Sequence, residues 1–141
     1  MFIRPWMGLM LVPMLAVAGK DYGAAQVTAV TSIYDADTFR VNIDGWPAVA
    51  GERIPVRVKG VDAPELRGQC DMEKQLARQA KQFTVRQLRQ AKQIELKHIE
   101  RGKYFRLLAE VWIDGKSLSE ELIKAGHAKT YAGGGRQSWC L

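Results

Sequence analysis

Residues 26–65 read "QVTAVTSIYDADTFRVNIDGWPAVAGERIPVRVKGVDAPE", and the side-chain alternation in this stretch sets the architecture. "QVTAVTSIY" is rich in β-branched residues and predicts a first strand over about 26–34. In "DTFRVNI", Phe39, Val41 and Ile43 take one face and Thr38, Arg40 and Asn42 the other, so the second strand is half-buried. Asp44-Gly45 marks the turn that ends it. "RIPVRVKGV" alternates again, with Ile54, Val56 and Val58 opposite Arg53, Pro55, Arg57 and Lys59, and predicts a third strand. Three consecutive strands with short connections form an antiparallel meander.

After the meander, "DMEKQLARQAKQFTVRQLRQAK" runs from Asp71, a predicted N-cap, without Gly or Pro. Leu76, Ala80, Phe83, Leu88 and Ala91 share one arc at helical spacing, which predicts a long amphipathic helix packed on a sheet. Lys74, Arg78, Lys81, Arg89 and Lys92 form a solvated basic face on another arc. "QIELKHI" and "YFRLLAEVWI" read as strands four and five of a hairpin, and Ser117-x-x-Glu120 opens a short helix that stops at Gly126. "HAKTY" reads as a further short strand. The order β-β-β-α-β-β-α lacks a βαβ repeat and implies a small, mainly β barrel with helices appended, of which the OB-fold is one form.

The chain of 141 residues, 47% hydrophobic and 26% charged, has the composition of one globular domain. Residues 1–18 place Arg4 before an apolar run and end in Ala16-Val17-Ala18, the pattern of a cleavable signal peptide and of an exported protein. The run is too short to span a bilayer, so no stable membrane insertion is expected after cleavage. Removing it takes away one cation and leaves a formal charge of +5 on residues 19–141 from the whole chain's +6, so the basic character belongs to the mature chain, whose expected domain is residues 19–131. Residues 132–141, "GGGRQSWCL" after Ala132, form a Gly-rich tail without the strand–turn–helix context of a phosphate loop. In an oxidising compartment Cys70 and Cys140 can pair; two free thiols or an intermolecular bridge are the alternatives. Their spacing excludes a zinc pair.

Three segments carry polar residues that a barrel does not require: "DADT" at 35–38, "RVKGVDAPE" at 57–65 and "GKYFR" at 102–106. In an antiparallel meander the start of strand two lies beside the end of strand three, which brings Asp37 towards Asp62. Paired carboxylates without nearby His or Cys suit a hard cation, Ca²⁺ or Mg²⁺. Turn chemistry explains the same acids equally well when each is taken alone. Arg57 and Arg106, read as lying in apolar strands, need anionic partners. Carboxylates for a metal, a further carboxylate as base and two arginines are together the parts that hydrolyse a phosphodiester.

In order and spacing, "YDADTFRV", "RVKGVDAPE" and "GKYFRLLAEVWIDGKSLSEELIKAGHAK" resemble the staphylococcal nuclease (thermonuclease) family over about residues 26–131. The resemblance implies a five-stranded OB barrel with a long helix between strands three and four and a short helix after strand five. It also implies Ca²⁺-dependent cleavage of DNA and RNA to 3′-phosphate products; a monomer is expected. Carried over residue by residue, Asp37 and Asp62 are the calcium carboxylates, Ala63 offers a backbone carbonyl, and Asp35 is an acid near the metal. Glu65 takes the general-base position, Arg57 and Arg106 the phosphate-binding positions, and Lys103 and Tyr104 flank the substrate. Ala63 stands where a threonine is usual, Phe105 where a glycine often stands and Gly102 where an acid does. The family's C-terminal helix is absent or replaced by the tail, whose Trp139 and a Cys70–Cys140 bridge would substitute for its packing. Two other readings compete with the nuclease: a non-catalytic OB module for nucleic acid or protein, and a structural exported protein. His98 and His127 read as structural or surface residues.

Overall fold

A computed structural model describes residues 20–141; the signal peptide expected at 1–18 lies outside them. β1 (Ala25–Asp35), β2 (Thr38–Ile43) and β3 (Ile54–Val58) form the expected antiparallel meander. A four-residue helix, α1 (Ala48–Gly51), fills the β2–β3 connection and was not legible in the sequence. β4 (Val61–Asp62) precedes the long helix α2 (Asp71–Gln90). β5 (Ile94–Arg101) and β6 (Leu107–Ile113) are the expected hairpin, followed by β7 (Lys116–Ser117), α3 (Leu118–Lys124) and β8 (Lys129–Thr130).

The barrel closes because β1 pairs with β5 and β3 runs parallel to β6, with Val56 opposite Leu107 and Val58 opposite Ala109. Among the described residues five principal strands thus form a closed barrel with three helices, the OB architecture expected from the element order. Alternate residues of each strand point inward, and Phe39, Val41, Val56, Val58, Leu96, Ile99 and Val111 are almost fully buried. Burying each such side chain contributes about 1.5–3 kcal/mol, which makes this barrel interior the main source of stability.

Three local expectations are corrected. Strand three does not continue to Val61: it breaks at Lys59-Gly60, where Gly60 adopts φ +85°, a conformation easy only for glycine. Val61 and Asp62 then leave the barrel sheet and pair with Thr130 and Lys129. The N-cap of α2 is Cys70 rather than Asp71, with its Sγ accepting from the Glu73 amide at 3.4 Å. The buried stripe of α2 is centred on Ala77, Ala80, Thr84, Val85 and Leu88, with Leu76 and Phe83 only half-buried at its margin. The helix rests on a barrel shoulder and not on a flat sheet, so small residues sit where the backbones approach most closely.

Ser117 caps α3 as expected, its hydroxyl accepting from the Glu120 amide at 3.4 Å, and Gly126 follows the helix at φ +78°. His98 is exposed and pairs with Asp21 at 2.9 Å, while the His127 ring packs on Phe83. Cys70 and Cys140 form a disulfide that ties the tail to the N-terminus of α2.

Candidate active site

The tight β1–β2 turn presents Asp35, Ala36 and Asp37, all buried, at one end of the barrel. Thr38 pairs with Arg57 in the β2–β3 ladder, so strand register alone places the Arg57 guanidinium beside this turn. Its Nη1 lies 2.9 Å from Asp37 Oδ2 and its Nη2 lies 3.7 Å from Asp62 Oδ1. The expected approach of Asp37 to Asp62 is therefore present, with Arg57 between them. The Ala63 amide donates to Asp37 Oδ2 at 2.9 Å and the Thr38 hydroxyl to Asp37 Oδ1 at 3.1 Å. These donors fix the carboxylate's orientation.

Asp35 behaves differently. Its Oδ1 is buried without a hydrogen-bond partner, and burial followed by repulsion from Asp37 pushes its carboxyl up to about 8. Two acids packed this closely in the interior, one of them without a partner, mark the turn as a candidate functional position.

Tyr34, Asp35, Asp37, Thr38, Arg57, Asp62, Glu65, Arg67 and Arg106 line a common hollow of about 270 Å³. It continues into a cleft of about 600 Å³, which adds Lys103 and Arg136. One expectation from the third polar segment needs correction. Arg106 is not within a strand: β6 starts at Leu107, and Arg106 closes a loop in which Tyr104 and Phe105 both hold positive φ. The Gly102 amide donates to the Arg106 carbonyl at 2.6 Å and the Arg106 amide to the Lys103 carbonyl at 3.1 Å, which tightens the loop beyond what a strand permits. Tyr104, 93% exposed, does not line the cleft, whereas Lys103 does.

Glu65 sits at the mouth of the hollow with its side chain half exposed. Its backbone is held from below by Glu73, a buried acid of α2 whose Oε2 accepts from the Glu65 amide at 3.0 Å and whose Oε1 accepts from the Gln69 amide at 3.1 Å. Burial pushes the Glu73 carboxyl up, but these two amides and the Arg136 guanidinium outweigh it and hold the group below its ordinary value. Sequence reasoning passed over Glu73 as one more helix former. The Cys70-x-x-Glu73 spacing, that of a capping box with sulfur in place of a hydroxyl, was the signal available.

Arg136 was also missed. From the tail it donates through Nε to both Asp62 oxygens at 3.2 Å and through Nη2 to the Ala63 carbonyl at 3.3 Å and Glu73 at 3.2 Å. Its Nη1 stands 3.4 Å from Glu65. No local pattern announces these contacts, because the partners lie 63 to 74 residues away in sequence.

The chain matches the family described as staphylococcal nuclease homologue over residues 55–138, a span that runs from β3 through Arg136. It is also 31% identical over 113 residues to the thermonuclease of Staphylococcus hyicus, an alignment covering 79% of this chain and 63% of that protein. The chain thus spans less than two thirds of that relative's length. The barrel and the extent of these matches agree: the chain belongs to the staphylococcal nuclease homologue family.

Proposed function

We propose that this protein is an exported, Ca²⁺-dependent nuclease that hydrolyses phosphodiester bonds of DNA and RNA with little sequence specificity, leaving 3′-phosphate ends. One observation carries the reading: Asp37, Asp62, Glu65, Arg57 and Arg106, drawn from three separate segments, line one hollow. Membership of the family and the thermonuclease relative support it. Residues 1–18, read as a signal peptide, and the disulfide support export.

The donor chemistry fits a hard cation. Asp62 and the Ala63 carbonyl both accept from one guanidinium and therefore face a shared cation position, with Asp37 held nearby and the unsatisfied Asp35 carboxyl beside it. Among the described residues no three His, Cys, Asp or Glu side chains form a metal cluster, and the Ala63 carbonyl adds a backbone oxygen beside the carboxylates of Asp37 and Asp62. Ca²⁺ bound by Asp37, Asp62 and Ala63 would offset negative charge on the scissile phosphate.

The remaining groups act directly on substrate and water. Arg57 and Arg106 each present a planar fork to phosphate oxygens, and their charge stabilises the additional charge that develops as water attacks. Glu65, exposed enough to meet solvent, orients the water and accepts its proton, a role that supplies about 10²–10⁴ in rate. Lys103 adds positive charge along the substrate path. Tyr104 stands free in solvent, where a nucleotide can meet it.

The test is digestion of plasmid DNA and of RNA by the purified protein with Ca²⁺, with excess EGTA, and by Glu65→Gln. Cleavage that requires Ca²⁺ and falls at least a hundredfold, as about 10² is the lower bound for loss of a general base, is the expected result. Binding of both nucleic acids without cleavage under any metal condition overturns the enzyme reading in favour of a non-catalytic module.

A further inference from the structure

The tail reaches the candidate site along a defined path. β8 pairs Lys129 opposite Asp62, and the Tyr131 amide donates to the Gly60 carbonyl at 2.9 Å, so the chain leaves the body within a few residues of the acid loop. The Tyr131 hydroxyl donates to the Gly134 carbonyl at 2.8 Å, and Gly133 and Gly134 take positive φ to turn the chain back. Beyond Arg136, the Lys129 ammonium donates to the Ser138 carbonyl at 2.9 Å and lies over the Trp139 ring, and Cys140 is bonded to Cys70. The segment is therefore fastened on both sides of Arg136.

What this path delivers is a positive charge to the oxygens that Proposed function assigns to Ca²⁺. Arg136 takes both Asp62 oxygens and the Ala63 carbonyl and also reaches Glu65. Asp37 is left to Arg57, so Arg136 adds to the Arg57 bridge and does not duplicate it. A guanidinium and a dication cannot share those oxygens: the same lone pairs are needed, and the two charges repel. Because Arg136 belongs to the same chain, its effective concentration at the site is set by the tether and not by solution conditions.

We propose that Arg136 is a resident counter-cation of this site: it competes with the divalent metal ion for the oxygens of Asp62 and Ala63, and the Cys70–Cys140 bridge holds it in that competition. This inference rests on the Ca²⁺ reading of the same residues. The tail sets a threshold of Ca²⁺ concentration for filling the site, and reduction of the bridge lowers it.

Isothermal calorimetry of Ca²⁺ binding to the full oxidised protein, to Arg136→Gln and Arg136→Lys, and to wild type reduced with a phosphine tests this directly, with circular dichroism confirming the fold of each. Arg136→Gln is expected to bind Ca²⁺ about tenfold or more tightly than wild type, since charge-assisted hydrogen bonds no longer have to be broken. Arg136→Lys, which keeps the charge but loses the fork, falls between, and reduced wild type shifts in the same direction. A side-chain Nε–H resonance of Arg136 that moves with the calorimetric midpoint supports displacement without any substitution. Unchanged or weaker Ca²⁺ binding in Arg136→Gln, or an Arg136 resonance unmoved at Ca²⁺ saturation, overturns the competition while leaving the calcium site standing. Absence of Ca²⁺ binding in wild type and all variants overturns both readings. Affinity unaffected by reduction removes the bridge from the proposal.

Discussion

The hydroxyl of Thr84, fully buried in α2, donates 2.8 Å to the carbonyl oxygen of Ala36, between the two aspartates of the β1–β2 turn. This bond ties the helix to the turn across 48 residues of sequence. Thr84→Val keeps the shape but leaves the Ala36 carbonyl unpaired in the interior, and is expected to destabilise the protein by about 1–3 kcal/mol. Thr84→Ser retains the bond and is expected to lose less. Urea unfolding of the three proteins checks the ranking; equal midpoints for Val and wild type would show the bond to be idle.

Arg57 both pairs with Asp37 and lines the hollow, which makes it, under the proposed mechanism, the least replaceable cation there. Arg57→Lys is expected to lower kcat/KM for DNA by about 10³ or more, by analogy with other arginines that stabilise phosphoryl-transfer transition states. A lysine ammonium keeps the charge but cannot fork between two acids and a phosphate. Steady-state kinetics at saturating Ca²⁺ separates this from weaker metal binding, and near-wild-type turnover in the lysine variant would refute the forked role.

Glu73 carries a prediction about pH. Its folded-state carboxyl titrates below the ordinary 4.5, so the folded state binds its proton less readily than the unfolded chain. The stability it adds is fully present above about 4.5, the unfolded value, and is lost as pH falls through the lower folded value. Glu73→Gln is expected to flatten the stability–pH curve in that acid window while lowering stability at pH 7. Thermal melts from pH 7 down to pH 3 measure it. A variant curve parallel to wild type would assign the acid sensitivity elsewhere.

Gly102 has no room for a side chain: a Cβ there would meet the Arg106 carbonyl oxygen at 2.8 Å, a backbone atom that cannot swing aside. Gly102→Ala is expected to displace the loop carrying Lys103 and Arg106. A shift of about 1 Å in a catalytic group can cost on the order of 10² in rate. The expected signature is a fall in kcat/KM with Ca²⁺ affinity preserved, because the proposed metal donors Asp37, Asp62 and Ala63 lie on other segments. Unaltered kinetics would mean that the loop absorbs the clash.

The barrel was legible because each strand carries its own code. The alternation of Phe39, Val41 and Ile43 specifies a half-buried strand whatever surrounds it, and the meander order then requires the ends of β2 and β3 to meet. The same local logic brought Asp37 towards Asp62 and identified both arginines. It failed at Arg106, where an apolar run beginning at Tyr104 reads as strand but the backbone closes a loop first. Tyr104 and Phe105 alone do not reveal that they will hold positive φ.

Periodicity, capping and turn chemistry act over a few residues, and from them follow the element order, the barrel, the acid–arginine pattern and two cysteines able to pair. The positions of Glu73 and Arg136 follow from contacts that no local rule encodes. Glu73 supports Glu65 only because α2 starts directly beneath the acid loop, and Arg136 reaches Asp62 only because β8 pairs with β4 and the disulfide draws the tail back. The energies of those two side chains depend on burial and on partners many residues distant, and such partners exist only after the chain has closed on itself.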